Sequence, residues 1–131
     1  MTRLLILCAI YYQAICHGFD PRMVAAQVFV ESSFRPRVVN RGCYGLMQIN
    51  YMVWRKELSV NPYKLVDIDY NLCKGLDILQ IYYRQTGDIW KALHRYNNGP
   101  SGKYNNRDYV RKVRKLYNHL RIIASDATDG K

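Results

Sequence analysis

Glu31 is the residue of this chain that sits least comfortably in its surroundings. It ends the stretch "AAQVFVESSFRP" (residues 25–36), after two turns of almost unbroken apolar sequence and just before a loop marked by Pro36. On a helical wheel, at about 100° per residue, Val24 lies about 20° from Glu31, Gln27 about 40° and Val28 about 60°. Ala25, Ala26, Phe29 and Val30 fill most of the remaining circumference. A helix that is apolar nearly all round is a buried helix. Its last turn is also the negative end of the helix dipole. Both effects disfavour a carboxylate, so both raise the pKa of Glu31. A carboxyl group that keeps its proton near neutral pH can donate it to a leaving oxygen. The competing reading is a solvated Glu at a helix end, the commoner situation for such a residue taken alone.

Other segments change that balance. "ESSF" (31–34), "GLMQIN" (45–50) and "YNNGP" (96–100) follow one another along the chain. Together they resemble the soluble lytic transglycosylase domain, a catalytic module related to goose-type lysozyme. "HGFDPRMVAAQVFVESSF" is similar to the family's Gly-x-Asp-Pro helix leading into Glu-Ser, and "DIDYNLCKGLDIL" to its Asn-x-x-x-Gly helix. "DIWKALHRYNNGP" is similar to its Ala-x-x-x-Tyr-Asn-x-Gly element, and "YVRKVRKLY" to its closing helix. The resemblance covers residues 10 to 120 or so.

It implies Glu31 as the catalytic acid/base, with Ser32 helping to hold the site. It further implies that Gly45, Leu46, Met47 and Gln48 line a cleft, with Gln48 on the sugar, and that Tyr96 and Asn97 flank Glu31 from the far side. For Leu46 and Met47, core packing competes with sugar contact. Arg95 and Asn98 depart from the Ala residues the family often carries there. The implied reaction cleaves the β-1,4 bond between MurNAc and GlcNAc in peptidoglycan and leaves 1,6-anhydro ends, without cofactor or metal. Asp67, Asp69 and Asp88 stand at helix starts, where capping explains them, and Asp108 lies in a basic segment. The chain therefore offers no evident second carboxyl group of the kind ordinary glycosidases use. A hydrolytic muramidase of the same fold is the alternative product outcome.

Elements must position these groups. Asp20-Pro21 reads as an N-cap with Pro at the first helical position, so a helix is expected over Pro21–Ser32. Residues 43–50 read as a loop or short extended piece, and Asn50 caps a helix "YMVWRKEL". Asn61-Pro62 marks a break. A helix over 69–85 places Leu72, Leu76, Leu79 and Tyr83 on one face, and Gly87 ends it. Asp88 caps "IWKALHRY"; "NNGPSGKYNN" is a turn-rich loop. A last helix over 107–121 turns Val110, Val113, Tyr117 and Leu120 inward and Arg111, Lys112, Arg114 and Lys115 outward. The first residues read as an amphipathic helix over 2–17, with Leu4, Leu7, Cys8, Tyr11, Tyr12 and Ile15 recurring at helical spacing. The alternative is a signal peptide, for which no clear small-x-small cleavage site follows. The expected architecture is mainly α: a lysozyme-like single domain over 1–123 with a catalytic cleft and at most a minimal β element, then a flexible tail over 124–131.

The bulk composition agrees with one domain. The chain has 131 residues, 49% of them hydrophobic, enough for a core without staples. Its formal net charge of +10 favours anionic partners. A basic nucleic-acid-binding helical module is the alternative from another class, but the cations are spread along the chain as on a solvated outer face, so nucleic acid is not the expected partner. Peptidoglycan glycan strands are. No apolar run approaches the roughly 18 residues of a membrane span. Cys8 and Cys16 lie about 12 Å apart along one helix, too far to bridge. Cys43 with Cys73 stays open. With no CxxC spacing and with His17, His94 and His119 scattered, no zinc site is expected, and the cysteines read as buried thiols filling core space. A retained first helix points to a monomeric phage-type endolysin reaching the periplasmic wall without a cleaved signal peptide. A virion-borne or an exported wall enzyme is the alternative.

Overall fold

The computed structural model of the chain describes residues 2–99 and 106–129, so most of the "NNGPSGKYNN" loop expectation lies outside the described residues. Six helices carry the fold: α1 (Thr2–His17), α2 (Pro21–Ser32), α3 (Tyr51–Leu58), α4 (Ile68–Thr86), α5 (Ile89–Asn98) and α6 (Arg107–Asp129). A 3-10 turn over Pro62–Val66 follows the Asn61-Pro62 break. Three two-residue strands, β1 (Val39–Asn40), β2 (Cys43–Tyr44) and β3 (Ile49–Asn50), form a small antiparallel sheet in that order. The molecule is thus mainly helical with a minimal β element.

The buried helix α2 starts where its caps dictate. Asp20 accepts a hydrogen bond from the Arg22 backbone at 2.9 Å, and Pro21 occupies the first turn. The same carboxylate takes the Arg22 guanidinium at 3.0 Å and the Tyr117 hydroxyl at 2.8 Å. Those bonds tie the start of α2 to α6 and hold Asp20 below the usual carboxylate range despite burial. From Met23 to Val28 every residue is buried. Asn50 and Asp88 cap α3 and α5 as expected.

Several faces differ from the sequence reading. In α1 the buried stripe is Ile6, Ile10 and Ala14, while Leu4, Tyr11, Tyr12 and Ile15 are exposed and Leu7 is largely so. Apolar residues occupy both sides of that helix, so periodicity alone could not choose the inner one. On α4, Leu72, Leu76 and Leu79 are fully buried, but Tyr82 rather than Tyr83 completes the face. Trp54 packs edge-on against Tyr82 at 6.1 Å, and Tyr83 packs outward against Phe19. On α6 only Val113 of the expected inner residues is fully enclosed, and Tyr109 enters the core beside it. Helix α5 runs two residues beyond Tyr96, and α6 runs past Arg121 to Asp129. The four thiols are free; Cys8 and Cys16 are exposed and Cys43 and Cys73 half-buried, so none fills the core.

Residues 45–50 are held by α4. Asn71 is fully buried and uses three bonds on this segment and its neighbours. Its Oδ1 accepts from the Met47 backbone at 2.8 Å, and its Nδ2 donates to the Tyr44 and Leu65 carbonyls at 2.8 and 2.7 Å. Gly45 has φ +77°, and a Cβ there would lie 2.3 Å from the Asn71 amide. Four residues along α4, Gly75 leaves the space that Met47 fills, since a Cβ there would lie 2.5 Å from the Met47 sulfur. The Asn-x-x-x-Gly pattern is therefore a seat for the "GLMQ" backbone. Replacing Asn71 by Ala orphans one buried N–H and two carbonyls. We expect a loss of stability on the order of 3 kcal/mol, read by urea denaturation. A change within 0.5 kcal/mol would show that water replaces the amide.

Candidate active site

Glu31 occupies the last turn of α2, and the chain leaves that turn abruptly. Ser33 and Phe34 both adopt left-handed backbone, at φ 54° and 60°. Two such non-glycine residues in succession store strain on the order of 2 kcal/mol or more. The Ser33 N–H closes the helix by donating to the Phe29 carbonyl at 2.8 Å. Glu31 keeps part of its surface open, but its carboxyl group is packed among protein atoms. Burial raises its pKa from 4.5 to about 8, and the nearby Tyr109 hydroxyl opposes the shift by favouring the charged form. Among the described residues, no cation and no second carboxylate contributes to that balance.

The surroundings are phenols, a thiol and an amide. The Tyr96 and Tyr109 hydroxyls are both held well above their ordinary pKa, first by burial and then by the Glu31 charge. Burial likewise raises the Cys43 thiol, with Glu31 adding to the effect. Gln27 is fully buried one turn before Glu31, and neither of its amide atoms has a hydrogen-bond partner. The Tyr109 hydroxyl is also without a partner of good geometry, although it lies near enough to Glu31 and Gln27 for each to act on it. Three buried polar atoms thus stand unsatisfied beside one enclosed carboxyl, an expensive arrangement for a purely structural site.

The residues singled out from the sequence fall into two groups. Tyr96 is brought to Glu31, but its hydroxyl donates to the Met47 carbonyl at 2.7 Å, so its proton braces the 45–50 segment. The Gln48 amide, at φ 49°, donates to the Val38 and Gly45 carbonyls at 3.1 and 2.9 Å and closes the same turn. Ser32 is buried and donates to the Val28 carbonyl of its own helix at 3.0 Å. Met47 is fully buried against Gly75, so its side chain belongs to the core, the reading that competed with sugar contact. Asn97 is exposed on the last turn of α5.

Its neighbour Asn98 is the buried one. It donates to the His94 carbonyl at 3.0 Å and accepts from the Asn106 N–H, joining α5 to the approach of α6. Tyr109, Gln27, Cys43 and Asn71 were not assigned from sequence. Gln27 carried a signal there, being the one polar residue inside an otherwise apolar wheel.

The family model of the transglycosylase SLT domain matches residues 10–118 of this chain. The chain belongs to that family, and its mainly helical, lysozyme-like fold is the one that membership leads us to expect. Family membership makes peptidoglycan the substrate class. No curated protein and no solved structure matches the chain.

The site predicts opposite consequences for charge and for stability. Glu31 has a folded pKa near 8 against 4.5 unfolded, so between those values the unfolded chain has released a proton that the folded chain retains. Stability therefore falls as pH rises from about 5 to about 8. Glu31→Gln removes that penalty. The variant should be more stable than wild type at pH 8 by a few kcal/mol, with little difference near pH 4. Parallel pH-dependent melts test this, and equal slopes for the two proteins would refute it. Tyr109→Phe removes the one group that favours the charged form. The alkaline limb of the pH–activity profile should then move upward, and an unmoved limb would disconnect Tyr109 from Glu31.

Proposed function

We propose that the enzyme is a lytic transglycosylase that uses Glu31 as its single acid/base. The observation that carries this reading is the enclosed carboxyl group with its pKa near 8 and no second carboxylate acting on it among the described residues. Such a group is protonated at neutral pH. It donates that proton to the glycosidic oxygen between MurNAc and GlcNAc as the C1–O bond breaks, so GlcNAc leaves as the neutral alcohol. The MurNAc N-acetyl oxygen stabilises the positive charge developing at C1. Glu31, now a carboxylate in an apolar setting, is a stronger base than an ordinary Glu. It takes the proton of the MurNAc C6 hydroxyl as O6 closes on C1. The 1,6-anhydro ring forms, Glu31 regains its proton, and no water is consumed.

Around this centre the residues have separate tasks. Tyr96 and Gln48 shape the 45–50 segment through their bonds to backbone carbonyls, and in our reading its half-buried positions, Gln48 and Asn50, meet the glycan. Asn97, open at the end of α5, is available to the sugar directly. Ser32 fixes the last turn of α2 on which Glu31 stands. The net charge of +10 draws the protein to anionic wall polymer, an attraction that weakens with salt.

We further propose a phage-type endolysin that keeps α1 in its working form. Ile6, Ile10 and Ala14 of that helix are fully buried, so losing it would expose the core. No helix among the described residues is long and apolar enough to cross a membrane.

Purified peptidoglycan digested with the enzyme should yield muropeptides with anhydro ends by mass spectrometry. Reducing ends would assign a hydrolase instead. Glu31→Gln should lower turnover by at least a thousandfold with the fold intact by circular dichroism, and near-normal turnover would sink the assignment.

A further inference from the structure

The end of α1 meets α4 in a cluster that takes no part in the chemistry above. Cys73 and Asp77 are four residues apart and share one face of α4. His17, the last residue of α1, faces them, with its Nε2 2.9 Å from the Asp77 Oδ1. A His17 ring nitrogen, the Cys73 sulfur and an Asp77 oxygen all lie within 4.8 Å of one another. Zinc holds nitrogen, oxygen and sulfur donors at about 2.0–2.3 Å, which sets tetrahedral donors about 3.3–3.8 Å apart. The three donors are within a small side-chain adjustment of that spacing.

The hydrogen bonds around His17 point the same way. Its Nδ1 is 2.7 Å from the Gln13 carbonyl oxygen, a contact it makes only by donating. Nε2 is thereby set toward Asp77 and Cys73, and in the metal-free protein its N–H donates to the Asp77 carboxylate, a proton released when an ion binds. Anchoring the remote nitrogen on a carbonyl is how imidazole ligands of metals are oriented. The Gln80 amide also donates to the His17 carbonyl at 2.8 Å and fixes the residue from the α4 side. The His17 side chain is 10% exposed and the Asp77 side chain 46%, so the cluster is partly enclosed. Lys74 approaches the other carboxylate oxygen, Oδ2, at 3.9 Å and leaves Oδ1 to face His17. His17 also lines a solvent-open cavity of about 410 Å³, a route of entry for an ion.

We propose that His17, Cys73 and Asp77 bind a divalent cation of the zinc class, with water as the fourth ligand, and that the ion staples α1 to α4. Imidazole, thiolate and carboxylate together suit zinc better than magnesium or calcium. The site is structural. It lies before the start of α2, whereas Glu31 stands about 15 Å further along that helix. The linear spacing of Cys and His carries no sign of it, because the donors come from two helices that only the fold brings together.

Cobalt(II) titration of the reduced, metal-free full chain tests the proposal, since a thiolate ligand gives cobalt a near-ultraviolet charge-transfer band. We expect one equivalent to bind, with the band present and displaced by zinc. Cys73→Ser should abolish the band, and Asp77→Asn should weaken binding at least tenfold. Cys8→Ser, on exposed α1 surface, should change nothing. Zinc at a hundredfold excess over its Kd should raise the folded-to-unfolded ratio about a hundredfold, seen as a higher Tm that Cys73→Ser no longer shows. Absence of the band, or its survival in Cys73→Ser with the fold intact, would leave His17–Asp77 an ordinary ion pair and overturn the proposal.

Discussion

Desolvation of one carboxyl group is the constraint to which the rest of this domain is fitted. A carboxylate in an apolar site is costly, and the usual remedy is a nearby cation. This chain has 20 Lys and Arg residues, yet none of those described acts on Glu31. A guanidinium there would lower the pKa and strengthen the fold, but it would also leave Glu31 ionised and unable to donate. The cations are kept where they do other work. Arg22 pairs with Asp20, and Arg114 lies over the Trp90 ring at 4.9 Å. The stability lost at Glu31 is the condition for its keeping a proton at neutral pH, a trade common to sites built for function.

A carboxyl group so placed serves the proposed reaction only if the 39–50 segment, its proposed second wall, keeps its position. That wall has almost no regular structure: its strands are two residues long, although Leu46, Met47 and Ile49 bury its apolar side. Polar side chains from elsewhere replace the missing ladder. Asn71 grips it from α4, Tyr96 from α5, and Gln48 folds back on its own carbonyls. Each of these bonds ends on a backbone atom, so they set the path of the main chain. Side chains that look like a contact set for the sugar are, in their visible bonds, largely a contact set for the loop.

This explains which parts of the fold and the site could be read from residues alone. Caps and breakers act locally, so Asp20-Pro21, Asn50, Asp88 and Gly87 marked helix ends that the structure reproduces. The mainly helical class and the small β element followed from the same local signals. Inner faces were harder where both sides of a helix are apolar: α1 buries Ile6, Ile10 and Ala14, and no spacing rule separates them from Leu4, Tyr11 and Ile15. At the site, Glu31 was legible because a charge interrupts an apolar wheel. Tyr109 was not, because its part depends on α6 crossing α2 far away in the sequence. Met47 and Asn97 show the other limit. A motif tells which residues recur together but not which are turned inward, and here Met47 is enclosed while Asn97 is open.

The unsatisfied atoms beside Glu31 carry the argument one step further. Gln27 and Tyr109 are buried polar groups without good partners, whereas Asn71, equally buried, has its amide filled on both ends. Satisfaction is therefore complete where the loop is held and incomplete where the acid stands. In the proposed reaction the charge on Glu31 changes twice, first appearing and then disappearing. Donors already committed to other partners could not follow that change. A hydroxyl free to rotate can donate to the carboxylate when it forms and release it when the proton returns. The raised pKa of Tyr109 keeps that hydroxyl protonated throughout, so it serves as a donor and does not compete as a second acid. In this view the incomplete hydrogen bonding around Glu31 is what lets one carboxyl group act as acid and then as base within the same turnover.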